Sequence, residues 1–277
     1  MKQVIDYIIS QLRGYYADEE LRELAYWIVE ECTGMTRTEI LIGCKDTKKN
    51  VFKQDLEVIL QKLRANEPIQ YVFGHTEWLG LDLSLTGATL IPRPETAELV
   101  DWILSVLDVS RGLRVLDIGT GSGCIAIALK KHAPLWDVTG MDVSEEALAV
   151  AAGNGRKNGV AVHWVQADVL ADNTIAERRW DVIVSNPPYI CEKEKVDMQA
   201  RVLDYEPGSA LFVPDDDPLL FYRRIASLKA ADMVFFEINE AYGEQVCAML
   251  CAMGYTDVEL KMDMYGKARM VVGRIAQ

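Results

Sequence analysis

The 277-residue chain contains no run of about 18 apolar residues, so no membrane-spanning helix is expected. Its first residues, Met-Lys-Gln-Val-Ile-Asp, lack the apolar core and small-residue cleavage site of a signal peptide, and a cytoplasmic protein is the expectation. Histidine is scarce: there are three, at 75, 132 and 163. The six cysteines (32, 44, 124, 191, 247, 251) form no Cys-x-x-Cys pair and are not flanked by histidine. No metal site or disulfide framework is therefore expected. The thiols read as buried and reduced, with Cys247 and Cys251 four apart on one packed helical face. Clustered lysine and arginine are missing as well. Net charge is −13, and beyond residue 65 the chain holds 19 basic against 31 acidic side chains. A sequence-independent grip on a phosphate backbone needs a basic cluster, so direct nucleic-acid binding is not expected. Internal repeats and low-complexity tracts are also absent.

Half of the residues are hydrophobic, enough for a sizeable core and, at this length, two domains. The first 65 residues read as helices. Val4, Ile5, Ile8, Ile9 and Leu12 form one apolar stripe ended by Gly14, and Leu21, Leu24, Ala25, Ile28 and Val29 form a second after Asp18-Glu19-Glu20. Thr36 with Glu39 fits a capping box. Asn50 is placed to cap a longer helix carrying Val51, Leu56, Ile59, Leu60 and Leu63, and Pro68 closes the segment. The period then changes. Leu81, Leu83 and Leu85 alternate with polar residues as a strand, and Ile69 to Glu77 is the expected hairpin partner, with Gly80 near the turn.

From Arg114 onward strands and helices alternate, with strands at 115–118, 137–141, 162–165, 180–185 and 233–238 and a final antiparallel pair at 257–262 and 269–273. That order predicts an α/β fold with a doubly wound, mostly parallel seven-stranded sheet and an antiparallel edge. The stretch from Ile190 to Pro218 carries no clear period and reads as an irregular lid or substrate loop.

Residues with chemistry to offer stand at successive strand ends. After the first strand of the sheet comes Asp117-Ile118-Gly119-Thr120-Gly121-Ser122-Gly123, whose glycines let the backbone bend tightly and approach a ligand. The dinucleotide fingerprint needs a further glycine where Cys124 stands, so a pyrophosphate-binding version fits poorly. Asp142 ends the second strand, where a carboxylate accepts from both ribose hydroxyls. Asp168 follows the third, within reach of an adenine amino group. Asn186-Pro187-Pro188-Tyr189 ends the fourth. Pro187 keeps Asn186 out of the α region, and neither proline has an N–H. Asn186 Oδ1 and the Pro187 carbonyl can thus accept both hydrogens of a planar NH₂ group, while Tyr189 offers an aromatic face. Asn-Pro-Pro alone equally suits a strand-terminating turn. The combination of strand ends points instead to S-adenosylmethionine (SAM) and methyl transfer to nitrogen.

These residues resemble class I SAM-dependent methyltransferases and, more closely, the release factor glutamine methyltransferase family (PrmC/HemK). The resemblance extends through Glu67-Pro68-Ile69-Gln70-Tyr71, Leu90-Ile91-Pro92-Arg93-Pro94-Glu95-Thr96, Tyr205-Glu206-Pro207 and Glu237. Asn-Pro-Pro-Tyr is shared with amino-methylating DNA enzymes, whereas Ile-Pro-Arg-Pro-Glu-Thr before the glycine loop is more specific. The resemblance implies a Rossmann-like catalytic domain at 93–277, preceded by a helical substrate-docking domain at 1–66 and a β-hairpin linker at 67–92. It implies cofactor binding by Gly119, Thr120, Gly121, Ser122, Gly123, Asp142, Asp168, Val169 and Asn186. It assigns catalysis to Asn186, Pro187 and Tyr189, and substrate binding to these with Pro188 and Arg93. At 169 the family often carries a bulky aromatic, and valine stands here. The implied partner is a peptide chain release factor, methylated on the glutamine of a Gly-Gly-Gln motif, with the enzyme a monomer. The alternatives are amino-group methylation of nucleic acid and SAM binding without turnover.

Overall fold

The computed structural model describes residues 1–42 and 52–275 and divides into two compact units, 1–74 with 200–205, and 75–199 with 206–277. The first unit is helical: α1 Lys2–Leu12, α2 Asp18–Thr33, α3 Arg37–Leu41, α4 Phe52–Arg64 and α5 Ile69–Phe73. The acidic residues of the first α2 turn lie at the positive end of the helix dipole, and Gly34 ends the helix in the left-handed region. The capping box forms, with Thr36 accepting from Glu39 N and Glu39 accepting from Thr36 N at 2.8 Å. Asn50 and Val51, the expected start of α4, lie outside the described residues. Ile8, Leu12, Leu21, Ile28, Leu60 and Leu63 are fully buried and form the bundle core. The helix Ala200–Tyr205 belongs to this unit too: Arg201 pairs with Glu20 at 3.2 Å, and Tyr205 Oη donates to the Ala65 carbonyl at 2.8 Å.

Residues 69–73 are helical, against the expectation of a strand. Pro68 occupies the N-cap position, Gly74 closes the turn at φ 74°, and Ile69 is buried in the bundle core, so tertiary burial overrides a short, ambiguous apolar run. The hairpin is confined to β1 His75–Trp78 and β2 Leu81–Ser84. Its Trp78, Leu81 and Leu83 join the core of the second unit.

The second unit continues with α6 Pro94–Val106, β3 Arg114–Ile118, α7 Cys124–His132, β4 Asp137–Asp142, α8 Glu145–Lys157, β5 His163–Gln166, β6 Trp180–Ser185 and β7 Ile190–Cys191. After α9, the Ala200–Tyr205 helix, come β8 Phe212–Val213, α10 Leu220–Ser227, β9 Ala231–Glu237, α11 Gly243–Ala252, β10 Tyr255–Met262 and β11 Ala268–Ile275. The seven-stranded sheet has the order β10-β11-β9-β6-β3-β4-β5, parallel from β9 to β5 and antiparallel at β11 and β10. This is the doubly wound sheet that the alternation of periods predicts. Its central strands are buried on both faces, one core layer formed with α6 and α7 and the other with α10 and α11, while the edge strands β5 and β10 are largely exposed.

Two expectations are corrected. The 190–218 stretch is not irregular: β7 pairs with β8 in parallel, and helical turns occupy 192–197, 200–205 and 208–210 between them. Short elements separated by single turns leave no long periodic signal. The cysteines are not uniformly buried. Cys124 and Cys191 are, Cys32 and Cys247 are half-buried, Cys251 is exposed, and Cys44 lies outside the described residues. Cys247 and Cys251 therefore do not share one packed face.

Candidate active site

In the sheet, the chain leaves β3 toward β4 on one side and returns through β6 on the other. That is the switch point at which open α/β sheets bind ligands, beyond the carboxyl ends of the strands. A cavity of about 290 Å³ opens there, walled by the loops after β3, β4, β5 and β6 together with Leu90, Pro92, Ala210 and Phe221. Ser185 Oγ donates to the Ile118 carbonyl at 2.6 Å and locks the ends of β6 and β3 together. Asn154, fully buried on α8, ties a third piece to this frame. Its amide nitrogen donates to the Ser122 and Ser84 carbonyls at 2.9 and 3.0 Å, and its oxygen accepts from Ser84 N at 2.7 Å. The hairpin and the glycine loop are thus held by one side chain.

Gly119, Gly121 and Gly123 all have positive φ, and Gly119 N and Thr120 N donate to the Met141 carbonyl at 2.9 Å. Asp142 receives Gly121 N on one carboxylate oxygen and Ser144 N on the other, each at 2.9 Å, so the carboxylate is fixed before any ligand arrives. Asp168, exposed, accepts from Leu170 N at 2.9 Å. Gly119, Thr120, Gly121, Ser122, Asp142, Asp168, Val169, Asn186, Pro187 and Pro188 all line the cavity.

Gly123, Tyr189 and Arg93 do not line it. Gly123 starts α7 at φ 82°, and a Cβ there would come within 2.9 Å of Trp164 and 3.1 Å of Ala151, so its position is set by close helix packing. Tyr189 packs against the second core layer and donates its hydroxyl to Glu237 at 3.1 Å. Burial and the Glu237 charge both push its phenol up, keeping it protonated. Arg93 pairs at 2.5 Å with the buried Glu206, which also accepts from Ile91 N at 3.4 Å. Its guanidinium joins the loop before α6 to the segment after α9 along the cavity wall.

Sequence reasoning named Thr96 and Glu237 as part of the resemblance but gave them no role at Asn186. Asn186 Nδ2 donates to Thr96 Oγ1 at 3.3 Å, and Thr96 Oγ1 donates to Glu237 Oε2 at 2.6 Å. Burial pushes the Glu237 carboxyl up, while Thr96, Tyr189 and the Arg269 guanidinium each pull it down. The available signal was the position of Glu237 at the end of β9, the remaining parallel strand end beside β6.

Behind the glycine loop, Asp117 is fully buried. One carboxylate oxygen accepts from Thr120 Oγ1 at 2.6 Å and Ala126 N at 3.2 Å; the other has no hydrogen-bond partner among the described residues. Burial raises its pKa to about 7. The same burial, with the Asp117 charge, pushes the Cys124 thiol up to about 12, so that thiol stays protonated. Because the folded-state pKa of Asp117 lies above its unfolded value, its contribution to stability is full below about pH 4 and is lost as pH rises through about 7. The variant Asp117→Asn should lack this loss. Its melting temperature relative to wild type should therefore rise between pH 5 and about pH 7 and level off above, and a constant difference would contradict the assignment.

The residues present suit SAM. A fixed carboxylate at the end of β4 is placed for ribose hydroxyls, and a mostly apolar crevice runs past Val169 to Asn186. Fold and site together define a class I SAM-dependent methyltransferase. Residues 100–205 match the methyltransferase small domain and residues 3–74 the PrmC N-terminal domain. The chain is 44% identical to the release factor glutamine methyltransferase of Bacteroides thetaiotaomicron, covering 98% of this chain and 99% of that one. It is 38% identical to that of Flavobacterium psychrophilum over 95% of each. The chain belongs to the release factor glutamine methyltransferase family. Among solved structures, the hMettl16 catalytic domain in complex with a 3′UTR hairpin shares the fold at TM-score 0.56 and 15% identity, covering 82% of this chain and 84% of that one. A methyltransferase from Pyrococcus furiosus does so at 0.52 and 18%, covering 82% and 100%.

Proposed function

We propose that this protein methylates the side-chain amide nitrogen of the glutamine in the Gly-Gly-Gln motif of peptide chain release factors, with SAM as donor. The observation that carries the reading is Asn186: its NH₂ is engaged by Thr96 at the cavity wall, which leaves its oxygen, with the Pro187 carbonyl, to accept the two hydrogens of an incoming amide. The full-length likeness to enzymes named for this reaction supports the choice of glutamine.

When bound, SAM supplies an electrophilic methyl group on a sulfonium centre. Gly119 to Ser122 and Asp142 would hold it, with Asp168 and Val169 at the adenine end. An amide nitrogen is a poor nucleophile because its lone pair is delocalised into the carbonyl. Two acceptors that fix its hydrogens aim the remaining lone-pair density along one line and bring the reacting atoms to about 3–3.5 Å. Accepting the methyl group that a bound donor would supply would place positive charge on the substrate nitrogen, which then releases a proton. The same two oxygens would stabilise that charge in a mostly apolar cavity, and no base is needed before transfer. Under this reading residues 1–66 dock the protein substrate, 67–92 connect, and 93–277 carry the chemistry. Partners are proteins, and the enzyme acts as a monomer.

Asp142→Ala should weaken SAM binding about tenfold to a hundredfold, the scale of a lost charge-assisted hydrogen bond, with little change in kcat at saturating SAM. Calorimetric titration beside steady-state kinetics checks the split. The reading itself is tested with labelled SAM offered to purified release factor, to its Gly-Gly-Gln-to-Gly-Gly-Ala variant, and to mixed DNA and RNA. Label on the wild-type factor alone supports it. Label on nucleic acid alone replaces it with amino-group methylation of bases, and SAM binding without any label reduces the protein to a binding module.

A further inference from the structure

Asn186 can serve as an acceptor only when its amide is turned one way. Rotation of the amide by 180° would put NH₂, a donor, where the substrate also brings donors, and the two orientations have the same shape. Something must choose between them. The neighbours of Asn186 make that choice by hydrogen-bond accounting. Glu237, 1% exposed, takes one hydroxyl on each carboxylate oxygen, Thr96 Oγ1 at 2.6 Å and Tyr189 Oη at 3.1 Å. While Glu237 is ionised it can only accept, so the single Thr96 hydrogen is committed to it. The Thr96 oxygen therefore has only lone pairs left to present to Asn186, 3.3 Å away. With NH₂ toward Thr96 the contact is a hydrogen bond. With Oδ1 toward Thr96, two lone-pair-bearing oxygens would face each other, and the half-buried amide donor would lose this partner. Thr96 is buried on the first turn of α6 and Glu237 ends β9, so both ends of this relay stand on regular elements.

We propose that Thr96 and Glu237 are positioning residues which hold the Asn186 amide with its oxygen toward the cavity and thereby give the site its acceptor character toward NH₂ groups. This rests on the reading of Asn186 as acceptor given above. The relay moves no proton; it fixes which atom of an otherwise symmetric side chain meets the substrate.

The decisive measurement is a double-mutant cycle on kcat at saturating substrate, with Thr96→Val, Asn186→Ala and the pair. Thr96→Val keeps the shape and removes the acceptor, so kcat should fall about tenfold, the scale of a lost hydrogen bond to a half-buried amide. Thr96→Ser should restore most of it. SAM affinity should stay close to wild type, while melting temperature should fall by a similar few degrees in both backgrounds, because Glu237 Oε2 loses its donor. In the Asn186→Ala background Thr96→Val should cost nothing further, because the group it orients is gone. Equal losses of kcat in both backgrounds would mean a merely structural threonine and overturn the proposal. A second readout does not need turnover. The Asn186 side-chain NH₂ resonance, assigned by its loss in Asn186→Ala, should be protected from solvent exchange in wild type and lose that protection in Thr96→Val. An unchanged resonance would also overturn the proposal. If wild type labels an amino group other than glutamine, the substrate reading falls, while the cycle still measures the Thr96–Asn186 coupling on that group.

Discussion

Asn186→Ala should lower kcat by about 10²- to 10³-fold, the range found when a pre-organised group that meets developing charge is removed. SAM affinity should change far less, since Asp142 and the glycine loop keep their own hydrogen bonds. The substitution deletes one of the two acceptors in the cavity and leaves the other, the Pro187 carbonyl, which backbone geometry fixes. Single-turnover kinetics with release factor, beside a SAM titration, separates the two effects. The near-isosteric Asn186→Asp should fail as well. It keeps an oxygen toward the cavity but sets a second against Thr96 Oγ1, whose hydrogen already belongs to Glu237. Full turnover in either variant would show that the nitrogen is activated without this acceptor.

Gly140→Ala should be the most destabilising small substitution in the catalytic unit. Gly140 lies in β4, and a Cβ there would fall 2.4 Å from Trp164 Cζ3, 2.7 Å from Cε3 and 2.9 Å from Thr120 Oγ1. A Trp ring laid across the sheet cannot move aside as the end of a flexible chain can. Overpacking of this kind costs about 3 kcal/mol, or about 10 °C in melting temperature for a domain of this size. Thr120 belongs to the glycine loop, so SAM affinity should fall with stability. Adding Trp164→Leu should recover part of the loss by emptying the space that the new methyl needs. A Gly140→Ala protein that melts within 2 °C of wild type would mean that the ring yields freely.

Much of the site was legible because its residues are neighbours in sequence of the strands that carry them. A strand with an apolar run ends where the run ends, and in a parallel sheet all those ends point to one edge. Gly119, Asp142, Asp168 and Asn186 could therefore be placed together from periodicity alone, and each of them lines the cavity. Boundaries failed where a run was short. Residues 69–73 carry as good a strand pattern as a helical one, and burial of Ile69 in the bundle decided between them. Tyr189 and Arg93 stand next to cavity residues in sequence, yet their side chains are drawn to Glu237 and Glu206, two buried carboxylates that require donors.

By itself, then, the sequence determined the order of strands and helices, the glycine loop and the set of polar groups at the sheet's carboxyl edge, because local periodicity and backbone chemistry act over a few residues. Only the tertiary structure decided that Thr96, Asn186 and Glu237, separated by 90 and 141 positions as counted from Thr96, form one chain of hydrogen bonds, and that Gly140 must leave room for Trp164. Such contacts depend on which strands are neighbours and how α6 lies on the sheet, and no short-range pattern records either.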